Sequence, residues 1–357
     1  METQNNQQEA STMAEISENT RRLLDKTRVV DLLLPGAPGV WYHSDPEIID
    51  SLMSRFERGG VSWISTTVSG DQPPSMRDAI LNLAAAHHWI STHPERYILV
   101  RSAADITKAK KEGKIGINFA FQGTNALESR IDLVQIFKRL GVDHFLLCYN
   151  TKNHVGDGCH ERTDCGLSKY GQKLIEEMNR VGVIVDVTHT GYRTSMDAMD
   201  ASKKPVVFSH SNPYALYAHE RNIKDDQIDA CVATGGVICM NAVGAFMSEG
   251  EWDVSPEIVF RNIDYVVQRC GAKHAGLGLD FLEDSMAAVK YLVGNNPHVY
   301  SDEKGSYAPD KDMAFGSPEI IPDLAELMLK AGYSEPDIAG VLGENLIELY
   351  DQHAWSV

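Results

Sequence analysis

The chain has no apolar run of about 18 residues, the length a helix needs to cross a bilayer, so no membrane span is expected. Its first twenty residues, METQNNQQEASTMAEISENT, carry no basic segment and no apolar core, so no secretory signal is expected and a cytoplasmic location is. Basic residues fall short of acidic ones, 33 Lys plus Arg against 50 Asp plus Glu, a formal net charge of −17. That deficit argues against nucleic acid or an anionic membrane surface as the main partner. The six cysteines contain no C-x-x-C pair, which excludes a zinc ribbon or a thioredoxin motif. They are expected to be free thiols, with Cys148, Cys231 and Cys239 in the core because each sits in an apolar run. No G-x-G-x-x-G follows the first apolar run, which weakens a dinucleotide-binding reading.

What is present is a core-forming composition, 43% hydrophobic and 23% charged. Residues 1–24 read as a polar tail and residues 25–357 as one domain. Eight short runs rich in Val, Ile, Leu and Phe recur along it: Arg28–Leu34, Val61–Val68, Ile115–Gln122, Val142–Tyr149, Gly182–Thr188, Pro205–Ser209, Gly235–Asn241 and Ala275–Leu279. Tyr97–Arg101 reads as an accessory strand. Nearly continuous apolar runs suit parallel strands buried on both faces. Helical patterns alternate with them at Pro46–Arg58, Ser75–Thr92, Glu128–Leu140 and Ser168–Val181, and two more follow at Ser317–Lys330 and from Ser334 to about Gln352. The alternation predicts an α/β fold, a (β/α)8 TIM barrel.

Catalytic groups of such a barrel sit at the C-terminal ends of its strands. Read that way, strand three offers Gln122, strand four Tyr149, strand five His189, strand six His210, strand seven Asn241 and strand eight Asp280. Each has a plain structural alternative: Asp280 as a cap, Tyr149 as a core aromatic, a lone histidine as a hydrogen-bonded scaffold residue. Imidazoles on consecutive strands with a carboxylate on the eighth converge over one mouth, and that favours a site. His154, His160 and His274 read as structural, and Lys108–Lys114 as a solvated helix face. Trp41, Tyr42, Phe246, Met247, Trp252 and Phe315 could line an apolar pocket for an aromatic substrate, and residues 244–255 and 291–315 are candidate lids.

The stretches YNTKNHVGDGC, GLSKYGQKLIEEMNRVGVIVDVTH, KKPVVFSHSNPYAL, HERNIKD, GLGLDF and AGYSEPDIAGVLGENLIELY resemble the renal (membrane) dipeptidase family, peptidase family M19, over about residues 25 to 352. The resemblance implies an amidohydrolase-like barrel, two zinc ions and dipeptide hydrolysis, and a homodimer. It places zinc-binding histidines at His189 and His210, the arginine for the substrate carboxylate at Arg221, and the strand-eight aspartate at Asp280. The family's first-strand His-x-Asp is absent: Leu33 and Pro35 stand there. Its bridging glutamate is Gln122, and a substrate-binding histidine is Tyr149.

Leu and Pro cannot ligate zinc, and two neutral imidazoles fall short of the three protein ligands usual for catalytic zinc. The expectation is therefore an enzyme without a cofactor, with a single residual Zn on His189 and His210 as the alternative. His189, His210, Asp280 and Tyr149 are the expected catalytic groups, and Arg221, Gln122 and Asn241 the expected contacts to a small-molecule substrate. Such groups suit acid–base lyase chemistry, an elimination or a retro-aldol-type release of a small aldehyde. The alternatives are a single-metal hydrolase of dipeptides or related amides and lactones, and a catalytically inactive binding protein.

Overall fold

The computed structural model describes residues 16–35, 45–71, 76–249, 252–284, 290, 293–294, 297–300 and 313–354. Trp41, Tyr42, His43 and most of the expected 291–315 lid lie outside them.

Nine parallel strands form one sheet: β1 (Val29–Leu34), β2 (Val61–Gly70), β3 (Tyr97–Leu99), β4 (Ile115–Gln122), β5 (Val142–Leu146), β6 (Ile184–Asp186), β7 (Val206–Phe208), β8 (Val237–Met240) and β9 (Ala275–Leu277). Eight follow the order β1-β2-β4-β5-β6-β7-β8-β9. β3 shares one edge of β4 with β5, pairing at Ile115–Ile117 while β5 pairs at Phe119–Gln122. β1 and β9 lie close to each other across the remaining gap, so the sheet is a nearly closed (β/α)8 barrel. Every run read from the sequence as a strand is one, and the accessory run is β3.

Helices cover the outside. Helices α1 (Glu18–Lys26), α2 (Pro46–Arg58), α3 (Met76–Thr92), α4 (Ala103–Glu112) and α5 (Leu133–Arg139) come first. They are followed by α6 (Lys169–Val181), α7 (Tyr192–Ala201), α8 (Asp225–Ala233) and α9 (Pro256–Cys270). The chain ends with α10 (Ile321–Lys330), α11 (Glu335–Ala339) and α12 (Asn345–Gln352). Local sequence starts several of them. Asp45 accepts the Glu47 N–H at 3.0 Å with Pro46 in the first turn of α2, and Ser168 accepts the Gly171 N–H at 2.9 Å at the head of α6. Among the described residues no helix is long and apolar enough to cross a membrane.

Several boundaries differ from expectation, three of them for a visible reason. The tail expected through residue 24 ends earlier, because α1 is an anchored helix. The Ser17 and Thr20 hydroxyls both donate to Glu326 on α10, whose carboxyl is held down at about 2. The helix expected from Glu128 starts at Leu133, because Glu128 and Ser129 adopt φ of 49° and 59°, outside helical space. The C-terminal helix is broken by a wide turn at Gly340–Glu344, where a Cβ on Gly343 would sit 2.1 Å from the Arg28 carbonyl. Only glycine lets this turn press against the start of β1.

At Asp143 the barrel interior is polar and satisfied. Asp143 Oδ1 accepts from Lys138 at 2.6 Å, and its Oδ2 accepts from Asn118 and from the Tyr350 hydroxyl, each at 3.0 Å. Cys148, Cys231 and Cys239 are fully buried, and all six cysteines are free thiols.

Candidate active site

The strand ends bring most of the expected residues together at the C-terminal mouth. His189, just after β6, and His210, just after β7, place their Nε2 atoms 2.8 Å apart with their rings nearly edge to face. Both are buried, and burial with the nearby Arg221 charge holds both imidazoles well below their ordinary pKa. They are therefore neutral at pH 7. His189 Nδ1 meets Asn150 Oδ1, and His210 Nδ1 meets the Ser209 hydroxyl at 2.7 Å.

The Tyr149 ring stacks on His189 with centroids 4.1 Å apart. Burial keeps its phenol well above its usual pKa, so it serves as a hydrogen-bond donor. Gln122 at the end of β4 puts its amide nitrogen 3.5 Å from His210 Nε2. Asp280 follows β9 with φ of 61°, and His189 and Asn150 have φ of 62° and 61°. Three left-handed non-glycine residues at one mouth mark backbone strain held by the surrounding hydrogen bonds. The Asp280 carboxyl is pushed up to about 7 by burial, against the pull of Arg221.

Arg221 is buried over the Phe246 ring at 5.3 Å. One of its nitrogens donates to the His210 carbonyl at 3.3 Å. Its Nε and Nη1 have no hydrogen-bond partner among the described residues. Both Arg221 and His189 line a cavity of about 300 Å3 that also receives Cys159, Tyr192, Tyr214 and Lys224. Buried donors that find no protein partner suit an anionic ligand.

His210, Tyr149, Gln122 and Asp280 do not line that cavity, and neither does Asn241. Asn241 is fully buried, its Oδ1 accepts from Asn212 and from the Val243 N–H, and its Nδ2 donates to the His210 carbonyl at 3.2 Å. The expected substrate contact becomes a support behind His210, because its amide is spent inside the protein. Phe246 and Met247 are buried near the mouth as a candidate apolar lining, and Phe315 forms a bridge to Val243.

Sequence reasoning passed over Asp71, which follows β2. Its Oδ1 accepts the Asn125 N–H at 2.9 Å, and its Oδ2 accepts the Tyr149 N–H at 3.1 Å and the Asn153 amide at 2.8 Å. It ties the loops after β4 and β5 to β2, and its position as the polar residue ending a strand was the available signal. His160, read as structural, binds Glu220 at 2.6 Å and lies edge-on to Tyr300 above His189. His274 is bonded to the Gly236 carbonyl at 2.8 Å, as a scaffold residue should be.

The zinc pair implied by the resemblance does not fit this donor set. Leu33 and Pro35 are apolar and buried where the first-strand ligands belong, and Gln122 is neutral. Among the described residues no group of three His, Cys, Asp or Glu side chains is arranged to hold a metal ion.

The family model of the membrane dipeptidases, peptidase family M19, matches residues 49–293. Dipeptidase tcpJ of Claviceps purpurea is 28% identical over 277 residues, 77% of this chain and 60% of its own length. The chain thus spans less than two thirds of that relative. Dipeptidase verJ of Clonostachys rogersoniana is 27% identical over 335 residues, covering 86% of this chain and 79% of verJ. An amidohydrolase from Pseudomonas aeruginosa superposes with a TM-score of 0.81 at 29% identity, over 94% of this chain and 98% of that one. With strands, strand-end residues and family model in agreement, the chain belongs to the membrane dipeptidase family, peptidase family M19.

Proposed function

We propose that this family member is an enzyme that performs acid–base chemistry on a small organic anion without a metal. The observation that carries the reading is the 2.8 Å contact between the Nε2 atoms of two neutral imidazoles. In such a pair one nitrogen holds the proton and the other the lone pair, so an acid and a base sit side by side. One removes a proton from the substrate and the other protonates the departing group, an oxygen or nitrogen in an elimination and the enolate in a retro-aldol. That is the requirement of an elimination or of a retro-aldol-type release of a small aldehyde. Neither needs the hydroxide nucleophile that zinc supplies in a hydrolase.

The remaining groups suit that role. Arg221 offers unpaired donors to a carboxylate, and Tyr149 offers a phenol hydrogen beside His189. Asp280, with its carboxyl near 7, is available in either protonation state. A cavity of about 300 Å3 lies at the lower end of small-molecule sites, and its tyrosines suit an aromatic group.

The test is metal analysis of the purified protein, followed by turnover assays on β-hydroxy and β-amino carboxylates with and without a chelator. Turnover that survives chelation supports the proposal, and turnover that requires stoichiometric zinc overturns it. The second reading, a single-metal hydrolase of dipeptide-like amides with the metal on His189 and His210, is favoured by the presence of Arg221 and Asp280 together. Zinc-dependent cleavage of a dipeptide panel supports it, and no cleavage of any member rejects it.

A further inference from the structure

A hydrogen-bonded line runs from Tyr300 into the imidazole pair. Tyr300 is buried, and its hydroxyl accepts from Asn150 Nδ2 at 3.1 Å. The other end of that amide, Oδ1, faces His189 Nδ1 and also accepts from the Cys159 thiol at 3.3 Å. Asn150 is itself held on both sides. Its carbonyl accepts the His160 N–H at 2.8 Å, while the neighbouring Cys159 N–H donates to the His189 carbonyl at 2.8 Å. A Cβ on Gly158 would lie 2.1 Å from the Asn150 carbonyl carbon, so this loop is pressed onto Asn150 as closely as glycine allows.

We infer that Asn150, braced by Tyr300, is a positioning residue that fixes which nitrogen of each histidine carries the proton. The amide oxygen can only accept, so it requires a hydrogen on His189 Nδ1. In a neutral ring that leaves a bare lone pair on His189 Nε2. His210 then must donate from its own Nε2 across the 2.8 Å contact. Its Nδ1 is left bare and accepts the Ser209 hydroxyl at 2.7 Å. The Gln122 amide nitrogen, 3.5 Å from the same His210 nitrogen, is also a donor, so in this arrangement it makes no hydrogen bond to that nitrogen. His189 is the base of the pair and His210 the acid. The assignment deepens the acid–base reading and rests on it for its catalytic meaning, while the proton positions themselves are independent of any substrate.

The experiment is long-range 1H–15N correlation of the histidine side chains in the full chain, treated with chelator, with His189→Gln and His210→Gln supplying the assignments. Expected are an Nδ1–H on His189 and an Nε2–H on His210. Asn150→Gly keeps the left-handed backbone and removes the acceptor, and it is expected to shift His189 to a mixture or to Nε2–H. Asn150→Asp restores an acceptor in the same place and is expected to restore the Nδ1–H. Tyr300→Phe frees the amide to turn and is expected to give a mixture. An Nε2–H on His189 in the unaltered chain overturns the inference. So does a tautomer unchanged in both Asn150→Gly and Tyr300→Phe, or one lost in Asn150→Asp. These readouts use no substrate, so failure of the acid–base reading in turnover assays is a separate result.

Discussion

The Oδ1 atom of Asp31 on β1 accepts the Leu279 backbone N–H at 3.0 Å, and so bridges the seam between the first and last strands of the barrel. The same oxygen accepts the Leu33 N–H at 3.1 Å. Asp186 repeats the pattern between β6 and β7, where its Oδ1 accepts from the Thr188 and Ser209 N–H groups. At two places around the barrel, one buried carboxylate oxygen does the work of missing ladder bonds.

Asp31 makes folding stability depend on pH. It is fully buried, its Oδ2 has no partner among the described residues, and burial raises its pKa to about 7. The folded chain thus holds a proton there that the unfolded chain releases near pH 4. Its contribution is fully present below the unfolded value and is lost as pH rises to about 7. Relative to Asp31→Asn, the unaltered protein should lose about 2 to 3 kcal/mol between pH 5 and pH 8. Urea unfolding of both proteins at the two pH values measures this, and a constant difference would refute it.

Removing the Asp71 carboxylate should loosen the site without touching the imidazoles. Asp71→Ala leaves the Asn125 and Tyr149 N–H groups without this acceptor and takes one of three acceptors from the Asn153 amide, which keeps Thr124 Oγ1 and the Leu147 carbonyl. A loss of about 3 kcal/mol is expected, visible as a lowered thermal midpoint. An unchanged midpoint would show that water replaces the carboxylate at no cost.

His189→Gln and His210→Gln should each lower kcat/KM by roughly 100-fold or more on any compound the enzyme turns over. Circular dichroism and melting should stay close to those of the unaltered protein. Retained activity in either variant would remove that imidazole from the chemistry.

Metal-binding side chains can be placed at the positions the family resemblance assigns to them. Leu33→His, Pro35→Asp and Gln122→Glu together restore the donors that the family resemblance places there. The triple variant should bind zinc at a higher stoichiometry than the unaltered chain, read by elemental analysis after dialysis. Equal zinc content in the two proteins would show that these three positions do not control metal binding.

Much of this protein was readable in order along the chain. Apolar runs with period-free burial gave the strands, because parallel barrel strands are covered on both faces and show it in composition. Ser, Asp and Pro at helix starts gave some helix boundaries, because capping is local chemistry, while α1, α7, α8 and α9 were not read from the pattern. The strand-end rule singled out His189, His210, Tyr149, Gln122 and Asp280 as candidates, since barrel geometry fixes where a strand's last side chain goes. It misplaced the α5 start, where two left-handed residues break a helical pattern, and it overlooked Asp71 and Asn150.

Those omissions share a cause. Asn150 matters through His189, 39 positions away, and Tyr300, 150 positions away, and nothing in a run of letters brings the three together. The sequence by itself determined the barrel and the family, and it put Leu33, Pro35 and Gln122 where the resemblance places metal-binding side chains, because each depends on residue type and local spacing. Tertiary structure decided that Asn241 supports rather than contacts, that the two imidazoles bond to each other, and which groups orient them. Those are matters of direction and distance between atoms, set only when distant strand ends and the loop after β9 meet over one mouth.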